Sequence, residues 1–473
     1  MYCRTSESRN LMARNYKNFY WLICLALLLM FHAYNGLNSD EGVILNGAWN
    51  LINGRVLYTD FFEHIAPGSF YVVYAAWSIF GVHFWIAKLL GVSAIFFAGV
   101  GIYYTSKLLV SQDRLNSYGS VLLVGPLIYF LISGFWPAIN HNVMNIPLVI
   151  WSVYFVIKEI NLRSYLNACS AGALSGFAVL FLQHRGLVVI VTVLLFYGAM
   201  FLRERDGYWL KVSAAFIGSA LIPVMALFLF WPPSILLEYL ILFPTFHYIN
   251  VNWVNPAGFL ITASFIVLIT YLLRFKATFA VCFIMLLQTV LLLSCLLRAD
   301  YFHITLILFP LLMVAPLIQG VPLTRNSYSY SWFIRVGVFF VLAAPVILPI
   351  QFLSARPLFM DRSSDSLALS YIEKHCSNSP YIYAGPFMPG IYFETRKLNP
   401  SRYGLLLTGL NTDAQLLEAA KDIEVHKPAC AILNYQIVKK FHYNKVNPVD
   451  LYITEHYEPV YQEGDTYVYM LQK

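Results

Sequence analysis

Charge is what this sequence has least of. Only 12% of its 473 residues are Asp, Glu, Lys or Arg, against about 25% in ordinary soluble domains, while 59% are hydrophobic and the mean hydropathy is +0.64. A water-soluble globular chain is excluded, and the reading is a polytopic α-helical membrane protein. Zinc-ligand spacing and CxxC pairs are also missing. The seven cysteines (Cys3, Cys24, Cys169, Cys282, Cys295, Cys376, Cys430) fall mostly in or beside apolar runs and read as small core residues. Cys376 and Cys430 share the polar C-terminal region, and whether they pair is left open. There is no Gly-rich phosphate loop, which argues against a nucleotide-binding site of that kind. No small-x-small site follows the first apolar run, so Phe19–Tyr34 reads as a retained helix and not as a cleaved signal. Internal repeats and low-complexity tracts are absent too. The net charge of +7 does not point to nucleic acid, because the basic residues sit in short connections between apolar runs.

Eleven apolar segments are expected to span: 18–37, 84–106, 117–135, 143–157, 166–182, 186–201, 212–231, 257–273, 277–297, 301–319 and 332–353. With the N-terminus in the cytoplasm, the cytoplasmic segments of the membrane unit hold fourteen Lys and Arg, from Arg4 and Arg9 to Arg274, Lys276 and Arg325. The opposite connections hold only Arg55, Lys88, Arg185 and Arg298. This is the positive-inside bias. Counting the apolar run 66–80 as a span would invert every later loop, so it is expected to lie at the interface or re-enter. An odd number of spans puts the C-terminus outside. The 33 tyrosines and 10 tryptophans suit the two membrane boundaries.

Two units follow: a membrane unit, 1–353, with a first outer loop at 38–83, and a soluble α/β unit, 354–473. In the outer loop, Asp40–Asn53 patterns as an amphipathic helix that would lie flat on the outer surface, with Ser39 or Asp40 capping its start and Gly54 its end. In the tail, "DAQLLEAAKDIEVH" reads as a helix, "YIYAG" and "ACAILNY" as strands, and "EPVYQEG" with "TYVYMLQ" as a closing hairpin.

Four polar clusters share the outer side under this topology. They are Asp40, Glu41, Asp60, Glu63 and His64; His141, Asn142 and Asn145; Gln183, His184 and Arg185; and Arg298, Asp300 and His303. Charge at membrane depth is costly and tends to be paired, solvated or functional. Arginine forks suit a phosphate, and a nearby carboxylate suits a general base for an incoming hydroxyl. Plainer readings stand beside these. Arg185 and Arg298 could be anchors that snorkel to headgroups, Asp60 and Glu63 loop solvation, and His141 and His303 hydrogen-bonded structural residues. A transporter or lipid flippase is the alternative class, although no inverted repeat or matching pair of broken helices supports it.

The stretch from Asp40 onward resembles the first outer loop of the GT-C glycosyltransferases, in the bacterial branch of protein O-mannosyltransferases and lipid A aminoarabinose transferases. Asp40-Glu41-Gly42 stands where that family has an acidic "DE" after the first span. Ala48–Gly54 matches "A-x-x-L-x-x-G", Tyr58–Gly68 is similar to "Y-x-D-F-F-x-H-x-P-P-G", and the apolar run ends at Phe80-Gly81. "QHRG", "RADYFH" and "GIYFETRKLNPSRY" are similar to later family segments. The resemblance implies a sugar on a polyprenyl phosphate, transferred with inversion to an extracytoplasmic acceptor (a glycolipid, envelope polysaccharide or protein) by an enzyme of the bacterial plasma membrane. It implies Asp40 as general base and Glu41 as its support. It implies Arg185 and Arg298, with His184 and His303, around the donor phosphate. Glu63 and His64 would shape the acceptor side; Asp60, His141 and Asn142 are left as acceptor-side or structural residues. No cofactor is implied, and a divalent metal is left open. The chain departs from the family at Ile65-Ala66, where Lys-Pro is usual, and at His141-Asn142, where many relatives carry a second acid.

Overall fold

The computed structural model describes residues 2–33, 39–110, 121–134, 138–248, 256–273, 278–296, 301–318 and 367–472. Helices dominate, in the order α1 (Tyr2–Ala33), α2 (Ser39–Ile52), α3 (Gly68–Phe80), α4 (Phe84–Leu109), α5 (Val124–Ser133), α6 (His141–Leu162), α7 (Tyr165–Phe181), α8 (Gln183–Glu204) and α9 (Tyr208–Ala226). After them come α10 (Pro256–Leu273), α11 (Phe279–Ser294), α12 (Tyr301–Leu306) and α13 (Phe309–Ile318). Four described helical stretches, Phe84–Leu109, His141–Leu162, Gln183–Glu204 and Tyr208–Leu229, are long and apolar enough to cross a membrane. With the composition, this makes the chain a multi-pass membrane protein. The expected last span, 332–353, and the boundary near 354 lie outside the described residues.

Bundle packing rests on small residues, since a lipid solvent gives apolar side chains little reason to associate. On α7, a Cβ at Gly172 would stand 2.1 Å from the Phe216 carbonyl oxygen, and one at Gly176 2.2 Å from that of Ala220. Only glycine permits this approach to α9. The α7–α6 contact adds a buried hydroxyl pair, Ser152 to Ser175 at 2.7 Å.

Two expectations meet a different structure, and one connection left without a reading has structure of its own. The segment 301–319 is not one helix: α12 stops at Leu306 and α13 begins at Phe309. Pro310 lacks an amide hydrogen and its ring crowds the carbonyl four residues earlier, at Leu306, which favours a break at that point. The connection after α9 is a helical run, Pro233–Phe246, with a π-turn at Glu238–Leu242. Finally, α2 does not lie flat on a surface. Every residue from Glu41 to Ala48 is buried, as is Asn50. Its polar face is covered by the C-terminal tail. Asn50 donates to the Asn46 carbonyl at 3.0 Å and accepts from Arg55 at 3.2 Å, and Arg55 donates to the Asn399 carbonyl at 3.1 Å. Gly54 does close α2, at φ +78°. The run 66–80 forms α3, whose 13 residues span about 20 Å, short of a bilayer core.

The tail adds helices α14 (Leu367–His375), α15 (Gly390–Thr395), α16 (Asp413–His426) and α17 (Pro448–His456) to strands β1 (Tyr383–Gly385), β2 (Cys430–Asn434), β3 (Tyr457–Glu463) and β4 (Thr466–Leu471). The sheet order is β1-β2-β4-β3; β1 runs parallel to β2, and the other pairs are antiparallel. Thr412 and Gln415 form a reciprocal capping box on α16. Cys376 and Cys430 form a disulfide, with Cα atoms 6.1 Å apart.

The segment 390–403 docks the tail onto the 39–83 region. Trp49 donates to the Lys397 carbonyl at 2.9 Å, the Phe62 amide to Arg402 at 2.9 Å, and Arg396 to Val82 at 3.0 Å. Trp77 stacks on Phe393, with ring centroids 4.9 Å apart. Gly42 meets Gly390 backbone to backbone, where a Cβ would lie 2.6 Å from the Gly390 nitrogen. The start of α2 is therefore held from both sides.

Candidate active site

At the tail end of the bundle, the first turn of α2 presents Asp40 and Glu41. Acids there are favoured by the helix dipole. Their surroundings differ sharply. Glu41 is fully buried; it meets Lys88 Nζ of α4 at 2.9 Å and accepts the Ile139 amide hydrogen at 3.0 Å. Asp40 is half-buried and has no hydrogen-bond or ion-pair partner among the described residues.

The Ile139 amide belongs to a short loop that leads into α6. Asn140 caps that helix, its Oδ1 accepting from the Val143 amide at 3.0 Å. The cap sets His141 and Asn142 on the first turn. Asn142 Oδ1 accepts from Arg185 Nη2 at 3.1 Å. The same loop thus touches the Glu41 carboxylate on one side and orients the Arg185 guanidinium on the other.

Around His141 the structure gathers His64, His184, His303 and Arg185, all close enough to interact with its ring electrostatically. These come from four places in the sequence: the loop before α3, the start of α8, α12, and α6 itself. Arg185 is 2% exposed, and among the described residues its Nη1 has no partner; His141 Nδ1 is likewise buried without one among them. Leaving buried donors unsatisfied costs on the order of 1–3 kcal/mol each, more when charged. A buried cluster of guanidinium and imidazole groups with such a deficit is complementary to an anion.

Gln183 fixes this arrangement. Its Nε2 donates to the His64 carbonyl at 2.9 Å and to the Leu240 carbonyl at 3.3 Å, and its Oε1 accepts from the Ala66 amide at 3.3 Å. The start of α8, the loop before α3 and the π-turn are joined through one amide. The ring of His64 lies against Phe243 and Tyr248.

Two further acids of the 39–83 region part company. Asp60 is exposed and accepts the Val56 amide hydrogen at 2.8 Å, closing its own turn. Glu63 is buried, and burial alone pushes its carboxyl up to about 8. Arg298 and Asp300 lie outside the described residues. Among the described residues no group of three or more His, Cys, Asp and Glu is arranged to hold a metal ion.

Sequence reasoning assigned Lys88 only to topology and missed its pairing with Glu41. A signal existed: Lys88 is a lone cation inside an otherwise apolar run, on the side assigned to the acids. The joining role of Gln183 carried no such signal.

No protein-family model matches the sequence, and no curated protein matches it in sequence. Solved structures do match. ArnT from Cupriavidus metallidurans, bound to undecaprenyl phosphate, superposes with a TM-score of 0.61 at 12% identity, covering 96% of this chain and 98% of that one. The same protein in its apo state gives 0.57 at 12% identity, over 98% of both chains. The Archaeoglobus fulgidus oligosaccharyltransferase, in complex with zinc and sulfate, gives 0.54 at 10% identity, over 96% of this chain and 73% of that one. The chain shares the fold of these proteins. At these identities the likeness concerns architecture, and the chemistry has to be argued from the side chains in place.

Proposed function

We propose that this chain is an integral-membrane glycosyltransferase that moves a sugar from a polyprenyl-phosphate donor to an extracytoplasmic acceptor, with inversion at the anomeric carbon. The observation that carries this reading is the convergence of Arg185, His141, His64, His184 and His303 at the tail end of the bundle, with Arg185 Nη1 and His141 Nδ1 buried and unpartnered among the described residues. Such a pocket at the headgroup level suits a lipid phosphate. The GT-C architecture, shared with a protein captured with undecaprenyl phosphate, supports the same donor class.

In this mechanism Asp40 removes the proton from an acceptor hydroxyl. The hydroxyl oxygen bonds to the anomeric carbon as the bond from that carbon to the phosphate oxygen breaks. The electron pair and the new negative charge leave with the polyprenyl phosphate, where Arg185 and the imidazoles stabilise them in a water-poor pocket. Arg298 is proposed to join them. Asn142 aims the guanidinium, His64 and Glu63 border the acceptor side, and Glu41 supports Asp40. The basic bias of the opposite loops and the Cys376–Cys430 disulfide favour a tail outside the cytoplasm, in an oxidising compartment.

The test uses membranes containing the full chain and a radiolabelled polyprenyl-phosphate sugar. Wild type is expected to move label into an extracytoplasmic acceptor. Asp40→Asn is expected to lower transfer by at least a hundredfold while donor binding survives. Transport of label without a new glycosidic bond would replace this reading with vectorial movement.

A further inference from the structure

The Glu41–Lys88 pair is buried more deeply than any solvent-facing role requires, with 0% and 2% of the two side chains exposed. Removing two charges from water costs several kcal/mol per ion, and a well-packed apolar pair of similar volume is often equally or more stable. Stability is thus a weak explanation for these residues. Their connections suggest a different role. Glu41 Oε2 takes the Lys88 ammonium of α4, and Oε1 takes the Ile139 amide of the loop before α6. Asp40 is the residue before Glu41, one peptide step of about 3.8 Å away. His141 and Asn142, which contact the anion pocket, follow Ile139 by two and three residues. One carboxylate, anchored by one ammonium, therefore ties the carboxylate end of the site to its cationic end.

We infer that Lys88 is a positioning residue for the transfer proposed above: acting through Glu41, it sets the first turn of α2, and with it Asp40, against the loop that leads into the first turn of α6, which carries His141 and Asn142. The inference rests on that functional reading. The groups facing the pair are consistent with it. From α1, His32 lies beside Lys88, 2% exposed, with both ring nitrogens lacking hydrogen-bond partners among the described residues. From α4, the Phe84 ring lies 4.9 Å from the ammonium. The loop before α6 supplies the Ile139 amide. Lys88 is the cation among these groups. On the tail side, the contact of Gly42 with Gly390 prevents α2 from rolling away.

Three proteins decide it: wild type, Lys88→Met and the double variant Glu41→Gln/Lys88→Met, each assayed for sugar transfer across a pH series. In Lys88→Met, kcat is expected to fall tenfold or more while the donor KM stays within threefold, because Arg185 and Asn142 are untouched. The fall in kcat is expected throughout the pH series, because what changes is where the first turn of α2 sits. The double variant removes the orphaned charge and keeps a carbonyl for the Ile139 amide, so its melting temperature is expected to return to wild type while kcat stays low. Turnover within twofold of wild type in Lys88→Met overturns the inference, as does a loss that disappears with restored stability in the double variant. A wild type that binds the donor but transfers no sugar overturns the functional reading, and this inference with it.

Discussion

Glu63 offers a stability prediction whose sign follows directly from its surroundings. It is 8% exposed, and burial alone holds its carboxyl at about 8, against 4.5 for an ordinary glutamate. Between those two values the folded protein keeps a proton that the unfolded chain has released. Stability should therefore fall as pH rises through 4.5 to 8 and level off above that. The full displacement corresponds to about 5 kcal/mol at 1.36 kcal/mol per pH unit, a ceiling that relaxation of the site reduces. Glu63→Gln keeps the shape and stays neutral at every pH. Thermal unfolding of the detergent-solubilised proteins from pH 5 to pH 9 is the assay. The two are expected to melt together near pH 5, and the variant is expected to gain several degrees by pH 8.5. An equal gap at both ends of the series would mean that Glu63 is ionised in the folded protein, and the burial argument would fail.

Other predictions follow from the tail. Cys376→Ser is expected to destabilise it by about 4 kcal/mol, from the entropy of opening a loop of 54 residues, read as a lower denaturation midpoint and faster proteolysis of 367–472. Gly42→Val is expected to push α2 off Gly390, where even a Cβ lies at 2.6 Å. Hydrogen exchange should rise in both 39–52 and 390–403, and transfer should drop more than tenfold. Unchanged exchange in 390–403 would show that the contact does not hold the tail.

Much of the bundle could be read from the sequence because lipid imposes a simple rule: apolar runs of the right length become helices, and charge marks their ends. The tail was legible for a different reason. Alternation and capping residues such as Thr412 and Gln415 act locally, and α16 starts and stops where "DAQLLEAAKDIEVH" does. What stayed hidden depends on packing between distant segments. Asn46 and Asn50 pattern as a solvent face, and only the tail, some 350 residues later, turns that face inward. The break before Phe309 was available from Pro310, but the hydropathy of the run masked it. Within the site, the four polar clusters were visible as residue types, and the anion pocket joins members of all four: His64, His141, Arg185 with His184, and His303. Which partner each would take was not visible. Glu41 turns to Lys88 and Ile139, and Asp60 closes its own turn; neither choice is written in local spacing.

The central claim is that the Arg185 and His141 pocket receives the phosphate of a polyprenyl lipid. Equilibrium binding of a short-chain polyprenyl phosphate, alongside the matching polyprenol, tests it most directly. The account predicts that the phosphate binds wild type at least tenfold more tightly than the alcohol, and that Arg185→Ala abolishes the difference. Equal binding of the two lipids, or a preference unchanged in Arg185→Ala, would contradict it.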